Sequence, residues 1–143
     1  MVWTLISAAS VEIQHLRIPK VPRKQIPNAV QWTFKRESTL GEEETILDFE
    51  IQGDITERGI QKTAVMAYAA PSKEIQEIRD LFSKSGFPLA GITVAPFAVQ
   101  NLFRTQWIAT AEETVCNLYI GRDWSHIDIF SGGNLVLTRG IKA

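Results

Sequence analysis

The 143-residue chain predicts a strand-rich α+β fold, and three observations carry that prediction. Seven or eight short segments alternate apolar and polar residues or run apolar throughout, as half-buried and buried strands do. Three other segments change to the helical period. Turn residues punctuate them, with no internal repeat and no low-complexity tract. With 45% hydrophobic and 22% charged residues, the chain can bury one good core and has the composition of an ordinary soluble domain.

VWTLIS and SVEIQHLRI read as two strands around Ala8 and Ala9, and the second has one buried face because Val11 and Ile13 alternate with Glu12 and Gln14. IPKVP breaks the ladder, since proline has no N–H to donate. Over 23–36 the period becomes helical: Ile26, Val30 and Phe34 are spaced by four, and Pro27 belongs in the first turn, where its missing N–H costs nothing. ESTLGEEET is a polar loop. Its Glu42, Glu43 and Glu44 read as a solvated turn, because no histidine, lysine or hydroxyl stands at an offset that would give the carboxylates chemistry.

ILDFEIQGDI and KTAVMAYAA are strands joined by TERG, the second apolar enough to be central in a sheet. A helix over 72–85 places Ile75, Ile78, Leu81 and Phe82 on one stripe, with Ser72 as its N-cap and Gly86 as its stop. PLAGITV is a strand and APFAVQNLFRTQW a helix with apolar residues on more than one face. WIATAEET is the weakest segment. Beyond it TVCNLYIG, WSHIDIF and NLVLTRGI are three strands, the last two joined by Ser131, Gly132 and Gly133, glycines suited to the positive φ of a tight hairpin.

A formal net charge of −1 gives no electrostatic reason to expect nucleic acid or an anionic membrane as partner. The apolar run over 63–71 is too short to span a bilayer, and VWTLISAAS lacks the basic leader of a secretory signal. The single cysteine, Cys116, excludes an internal disulfide and reads as a buried, inert thiol. Neither His15 nor His126 has a second ligand type beside it to make a metal site. These features point to a cytoplasmic protein without a metal.

Three passages together resemble the PilM family of cytoplasmic actin-like proteins of type IV pilus assembly, itself similar to the cell-division protein FtsA. They are SVEIQHLRIPKVPRKQIPNAVQWTFKRE; LDFEIQGD followed by TAVMAYAAPSKEIQEIRDLFSKSGFPLAGITVAPFAVQNLF, with the family's strand, AAP turn, helix, glycine stop, strand and FA helix in order; and the C-terminal hairpin with its GG…L…TR.I ending. The resemblance implies a mixed-sheet fragment of an actin-like, ribonuclease-H-like ATPase fold that includes the small inserted subdomain. Residues 1–95 would hold that subdomain and the edge of the first actin-like domain. Residues 96–143 would be the return helix and the opening three strands of the second. In such ATPases nucleotide lies between two domains, held by a phosphate hairpin from each and an adenosine pocket. The resemblance places the first hairpin before Val2 and the pocket after Ala143.

The family's second phosphate hairpin is similar to YIGRDWS, and the carry-over makes Gly121, Arg122, Asp123 and Ser125 the candidate nucleotide-contacting residues. The family's aspartate, which organises metal and water around the phosphates, is replaced here by Tyr119, and Arg122, Asp123 and Trp124 stand where small residues belong. The expectation is therefore no cofactor for this chain, with ATP and magnesium left to a full-length parent.

The resemblance also implies a scaffold, peripheral at the inner membrane through its partners, that grips the N-terminal cytoplasmic peptide of a PilN-like inner-membrane protein. At 100° per residue Trp32 lies opposite the Ile26, Val30, Phe34 stripe, so Trp32 and Arg36 are the candidate partner-binding pair; packing of Trp32 on the first actin-like domain is the alternative. An actin-like ATPase of pilus, type II secretion or cell-division machinery is the competing function. Unpaired strand edges over 114–141 predict self-association.

Overall fold

A computed structural model of the chain describes residues 1–39, 44–122 and 124–142, the Lys142 side chain excepted; Glu42, Glu43 and Asp123, named above, lie outside the described residues. Its elements are β1 (Val2–Ile6), β2 (Glu12–Pro19), α1 (Ile26–Glu37), β3 (Thr45–Glu57), β4 (Ile60–Pro71), α2 (Ser72–Lys84), β5 (Leu89–Val94), α3 (Ala95–Arg104), β6 (Thr114–Ile120), β7 (Trp124–Ser131) and β8 (Asn134–Lys142). They form two compact units. One is Val11–Glu77; the other combines Met1–Ser10 with Ile78–Ala143, so the division between them falls within α2.

In the unit Val11–Glu77, β4 is the central strand of an antiparallel sheet ordered β2-β4-β3, as its apolar character predicts. β3 and β4 extend further than their apolar runs, absorbing Thr56 and Glu57, so that only Arg58 and Gly59 turn the hairpin. Both have left-handed backbone, φ 51° and 79°, as a two-residue hairpin matching the twist of its strands requires. Helix α1 begins after a short 3-10 turn at Arg23–Gln25, with Pro27 in its first turn. Its Ile26, Val30 and Phe34 pack with Leu16, Ile18, Val65, Ala67 and Ala69 of the sheet. At the far end of α1 the Glu12 carboxylate accepts from the Ser38 hydroxyl at 2.8 Å and the Thr39 N–H at 3.1 Å, tying the helix exit to β2.

The turn end of the β3–β4 hairpin is charged. Lys20 donates to Asp54 at 2.7 Å, and Lys62, at 2.6 Å, and Arg17 both bind Glu57. Lys20 holds the Asp54 carboxyl below its ordinary value, and Lys62 followed by Arg17 does the same for Glu57. On the sheet face turned away from α1, Tyr68 donates to Asp48 at 3.2 Å; burial first, and then the negative charge of Asp48, push its phenol up.

The second unit holds a parallel pair, β1 with β5, and the antiparallel sheet β6-β7-β8. Helix α3 is fastened to the β7–β8 hairpin. The buried Gln100 side chain accepts from the Leu135 N–H at 2.6 Å, Arg104 donates to the Gly133 carbonyl at 3.1 Å, and the Phe103 and Phe130 rings lie 5.1 Å apart. Gly132 and Gly133, at φ 56° and 75°, make the tight turn expected of them.

Two expectations are corrected, at Ser72 and Cys116. Ser72 is the first residue of α2 and not its cap; its N–H donates to the Glu44 carbonyl at 2.9 Å. The α2 stripe is only partly covered, with Ile75, Ile78 and Phe82 half-buried and Leu81 exposed, and the helix stops at Gly86, φ 81°, as the sequence indicates. Cys116 is exposed, because it stands on the face of β6 turned away from Val115 and Asn117, the side on which Leu118 and Ile120 are exposed too.

Candidate functional site

The hairpin between β6 and β7 is built by strand pairing that runs without irregularity from Thr114↔Ser131 to Ile120↔Ser125. At its mouth the Gly121 N–H donates to the Trp124 carbonyl at 3.1 Å. That carbonyl is so close that a Cβ at position 121 would collide with it, so the turn needs glycine for its own closure. The N–H of Gly121 is consequently committed inside the hairpin. Ser125 pairs between Ile120 and Ile141 and is half-buried, while Arg122 is exposed in the turn.

The two aromatic departures from a phosphate loop have a shared place in the sheet. Tyr119, Trp124 and His126 form one ring cluster, with the tyrosine and indole centroids 5.1 Å and 4.7 Å from the imidazole and 6.4 Å from each other. The Trp124 indole continues over Gly140, where a Cβ would come within 3.0 Å of its Nε1. Strand β7 alternates, so the same face continues to Asp128, which is fully buried. Its carboxylate accepts from Thr138 Oγ1 at 2.7 Å and Asn117 Nδ2 at 3.1 Å, the residues directly across on the flanking strands. His126 Nε2 approaches the same carboxylate at 3.0 Å, an ion-pair distance, yet neither ring nitrogen has a hydrogen bond of good geometry. A carboxylate does therefore stand beside His126, which the sequence reading did not find. No group of three metal-ligating side chains occurs among the described residues.

In the other unit, Trp32 is 78% exposed on α1 while Ile26, Val30 and Phe34 are buried, so the helical phase read from the sequence is correct. Arg36, one turn on, is exposed and donates to Glu37 at 3.2 Å, a weak surface pair. Trp32 and Arg36 belong to one compact unit and Gly121, Arg122 and Ser125 to the other.

No protein-family model matches the sequence, and no curated protein is significantly similar to it. Solved structures do match in fold. A chain of a PilM–PilN type IV pilus biogenesis complex superposes on 98% of this chain with a TM-score of 0.79 at 20% identity. The cytoplasmic domain of EpsL, an inner-membrane component of the type II secretion system of Vibrio cholerae, superposes on 98% with a TM-score of 0.63 at 11% identity. A Bacteroides thetaiotaomicron protein with an actin-like ATPase fold and unknown function covers 99% at 0.51 and 9% identity. The fold is actin-like.

This chain spans 42%, 50% and 47% of those three structures, so it corresponds to about half or less of each actin-like chain. The β6–β7 hairpin has paired strands and a glycine closing its mouth. What the sequence reading missed is the Asn117, Asp128, Thr138 row with His126. Its signal was available as a charged residue inside the alternating WSHIDIF, where the apolar face should continue.

Proposed function

We propose that the chain is an actin-like scaffold element of type IV pilus assembly, working at the cytoplasmic side of the inner membrane and holding the N-terminal cytoplasmic peptide of a PilN-like membrane protein. The carrying observation is the superposition of 98% of the chain on the PilM–PilN structure at a TM-score of 0.79, well above the 0.63 of EpsL. Among the described residues no helix is long and apolar enough to cross a membrane, which is consistent with attachment through a partner. Trp32 supports the peptide-binding part, because a large aromatic held outward on a rigid helix is a low-entropy anchor, and Arg36 beside it offers a charged donor. Self-association through the C-terminal strands completes this reading.

Trp32→Ala is expected to weaken binding of such a peptide by about 2 kcal/mol, roughly thirtyfold, without changing stability, since truncation of an exposed aromatic leaves no cavity. Fluorescence anisotropy with a labelled N-terminal peptide, alongside thermal melts, measures both. Equal affinity for variant and parent would remove Trp32 from the site.

The nucleotide belongs to the fold family, and the residues of this hairpin do not fit it. Gly121 has spent its N–H on Trp124, and an aromatic ring stands where a metal-organising carboxylate is needed. Titration calorimetry of the chain with ATP and magnesium is expected to give no binding heat. A micromolar dissociation constant would overturn this part and favour the ATPase reading. An L-type role in type II secretion is the second reading, favoured by the EpsL superposition; selective capture of an EpsL partner over a PilN-like peptide would establish it instead.

A further inference from the structure

The charges around α1 are one-sided. From Ile13 to Arg36 the chain carries Arg17, Lys20, Arg23, Lys24, Lys35 and Arg36 and no acidic residue. Arg17 and Lys20 are neutralised by Glu57 and Asp54. Arg36 has the neighbouring Glu37, while Arg23, Lys24 and Lys35 have no ion pair among the described residues. The cations at the two ends of the helix, Arg23 and Lys24 before it and Lys35 and Arg36 in its last turn, are all exposed.

Helix stability does not account for this placement. Lys35 and Arg36 suit the negative end of the helix dipole, but Arg23 and Lys24 stand immediately before the N-cap Gln25, at the positive end, and the first turn holds no acid to offset them. Around the helix axis Asn28 and Arg36 lie within about 40° of Trp32, and Lys35 within about 60°. The surface is therefore one exposed indole in a polar and cationic setting. Lysine and arginine resist burial, so its composition makes it a water-facing surface and not a core seam. The apolar side of α1, with Ile26, Val30 and Phe34, is already packed on the sheet, which leaves the helix no apolar face to insert into a bilayer interface.

We propose that the segment docking on this face is acidic: an extended peptide that lays an apolar side chain on Trp32, a carboxylate beside it against Lys35 and Arg36, and a second carboxylate against Arg23 and Lys24. The spacing of the cations sets the pattern. Lys24 precedes Trp32 by about 12 Å along the axis at 1.5 Å per residue, a distance that an extended chain covers in about four residues. Carboxylates are the complement that Arg23, Lys24 and Lys35 lack among the described residues. Such charge pairs at the rim of an aromatic contact speed encounter and select the partner more than they add affinity. This deepens the peptide-binding part of the proposed function and rests on it.

The test uses the whole chain and three labelled, end-blocked synthetic peptides that differ only in charge. The first has a leucine followed by a glutamate, with a second glutamate four residues before the leucine and serines between; the others carry glutamine or lysine at both glutamate places. Fluorescence anisotropy is expected to show the glutamate peptide binding about tenfold more tightly than the glutamine peptide, and the lysine peptide weakest. The difference should vanish in about 1 M salt, where charges are screened beyond about 3 Å. Lys24→Glu is expected to cut the preference for glutamate several-fold while leaving the glutamine peptide unchanged; an acid at that end favours the helix, so the loss cannot come from unfolding. Equal binding of the glutamate and glutamine peptides, or a preference untouched by Lys24→Glu and by Lys35→Glu, overturns the acidic partner and leaves the peptide-binding reading standing. Failure of all three peptides to bind overturns it as well, and anisotropy with the PilN-like peptide then decides that reading by itself. Sedimentation of the chain with phosphatidylglycerol vesicles, lost in Lys24→Glu, would overturn it in favour of a lipid surface.

Discussion

Phe34→Ala is expected to destabilise the Val11–Glu77 unit by about 3 kcal/mol. The ring is 4% exposed and closes the α1 stripe over the sheet residues Leu16, Val65 and Ala67. Its loss removes the transfer energy of a large side chain and leaves a cavity, because the facing alanines are too small to fill the space. Thermal melts followed by circular dichroism should show a clear drop in midpoint for Phe34→Ala. Trp32→Ala, two residues away on the same helix and 78% exposed, should melt with the parent. An unchanged midpoint for Phe34→Ala would mean that α1 contributes little to the core. The pair of variants thus separates burial from mere position on the helix.

The second large effect is expected at Asp128. Asp128→Ala should cost about 3 kcal/mol, since it strips the acceptor from two side chains, Asn117 and Thr138, at a position buried from bulk solvent. Removing the carboxylate also takes away the group 3.0 Å from the buried His126. Asp128→Asn keeps the volume and one acceptor oxygen, so its cost should be clearly smaller. Denaturant unfolding of both variants checks the order. Equal stability of Asp128→Ala and the parent would show that the row across β6, β7 and β8 contributes no net stability.

Much of the fold was legible because its signals are local. The spacing of Ile26, Val30 and Phe34 specifies which side of α1 is buried, and hence that Trp32 points outward, without knowledge of what the helix packs on. The same is true of Gly132 and Gly133, whose backbone freedom requires no tertiary context. Cys116 was misread for the opposite reason. Strand alternation says that Cys116, Leu118 and Ile120 share a face, but whether that face is covered depends on neighbours distant in sequence. The α2 stripe shows the same distinction: periodicity is a property of the helix, and burial is a property of its surroundings.

In the hairpin that raised the question of a phosphate site, the chemical departures are a matter of sequence alone. Tyr119, Arg122 and Trp124 stand where the resemblance places an aspartate and small residues. Tertiary structure decided where those departures go. Strand register brings Tyr119, Trp124 and His126 onto one face and aligns Asn117, Asp128 and Thr138 across three strands. None of this could be read along the chain, because side chains 10 or 11 residues apart meet only once antiparallel pairing has chosen which residue stands opposite which, and a slip of one residue would have sent every one of them to the other face.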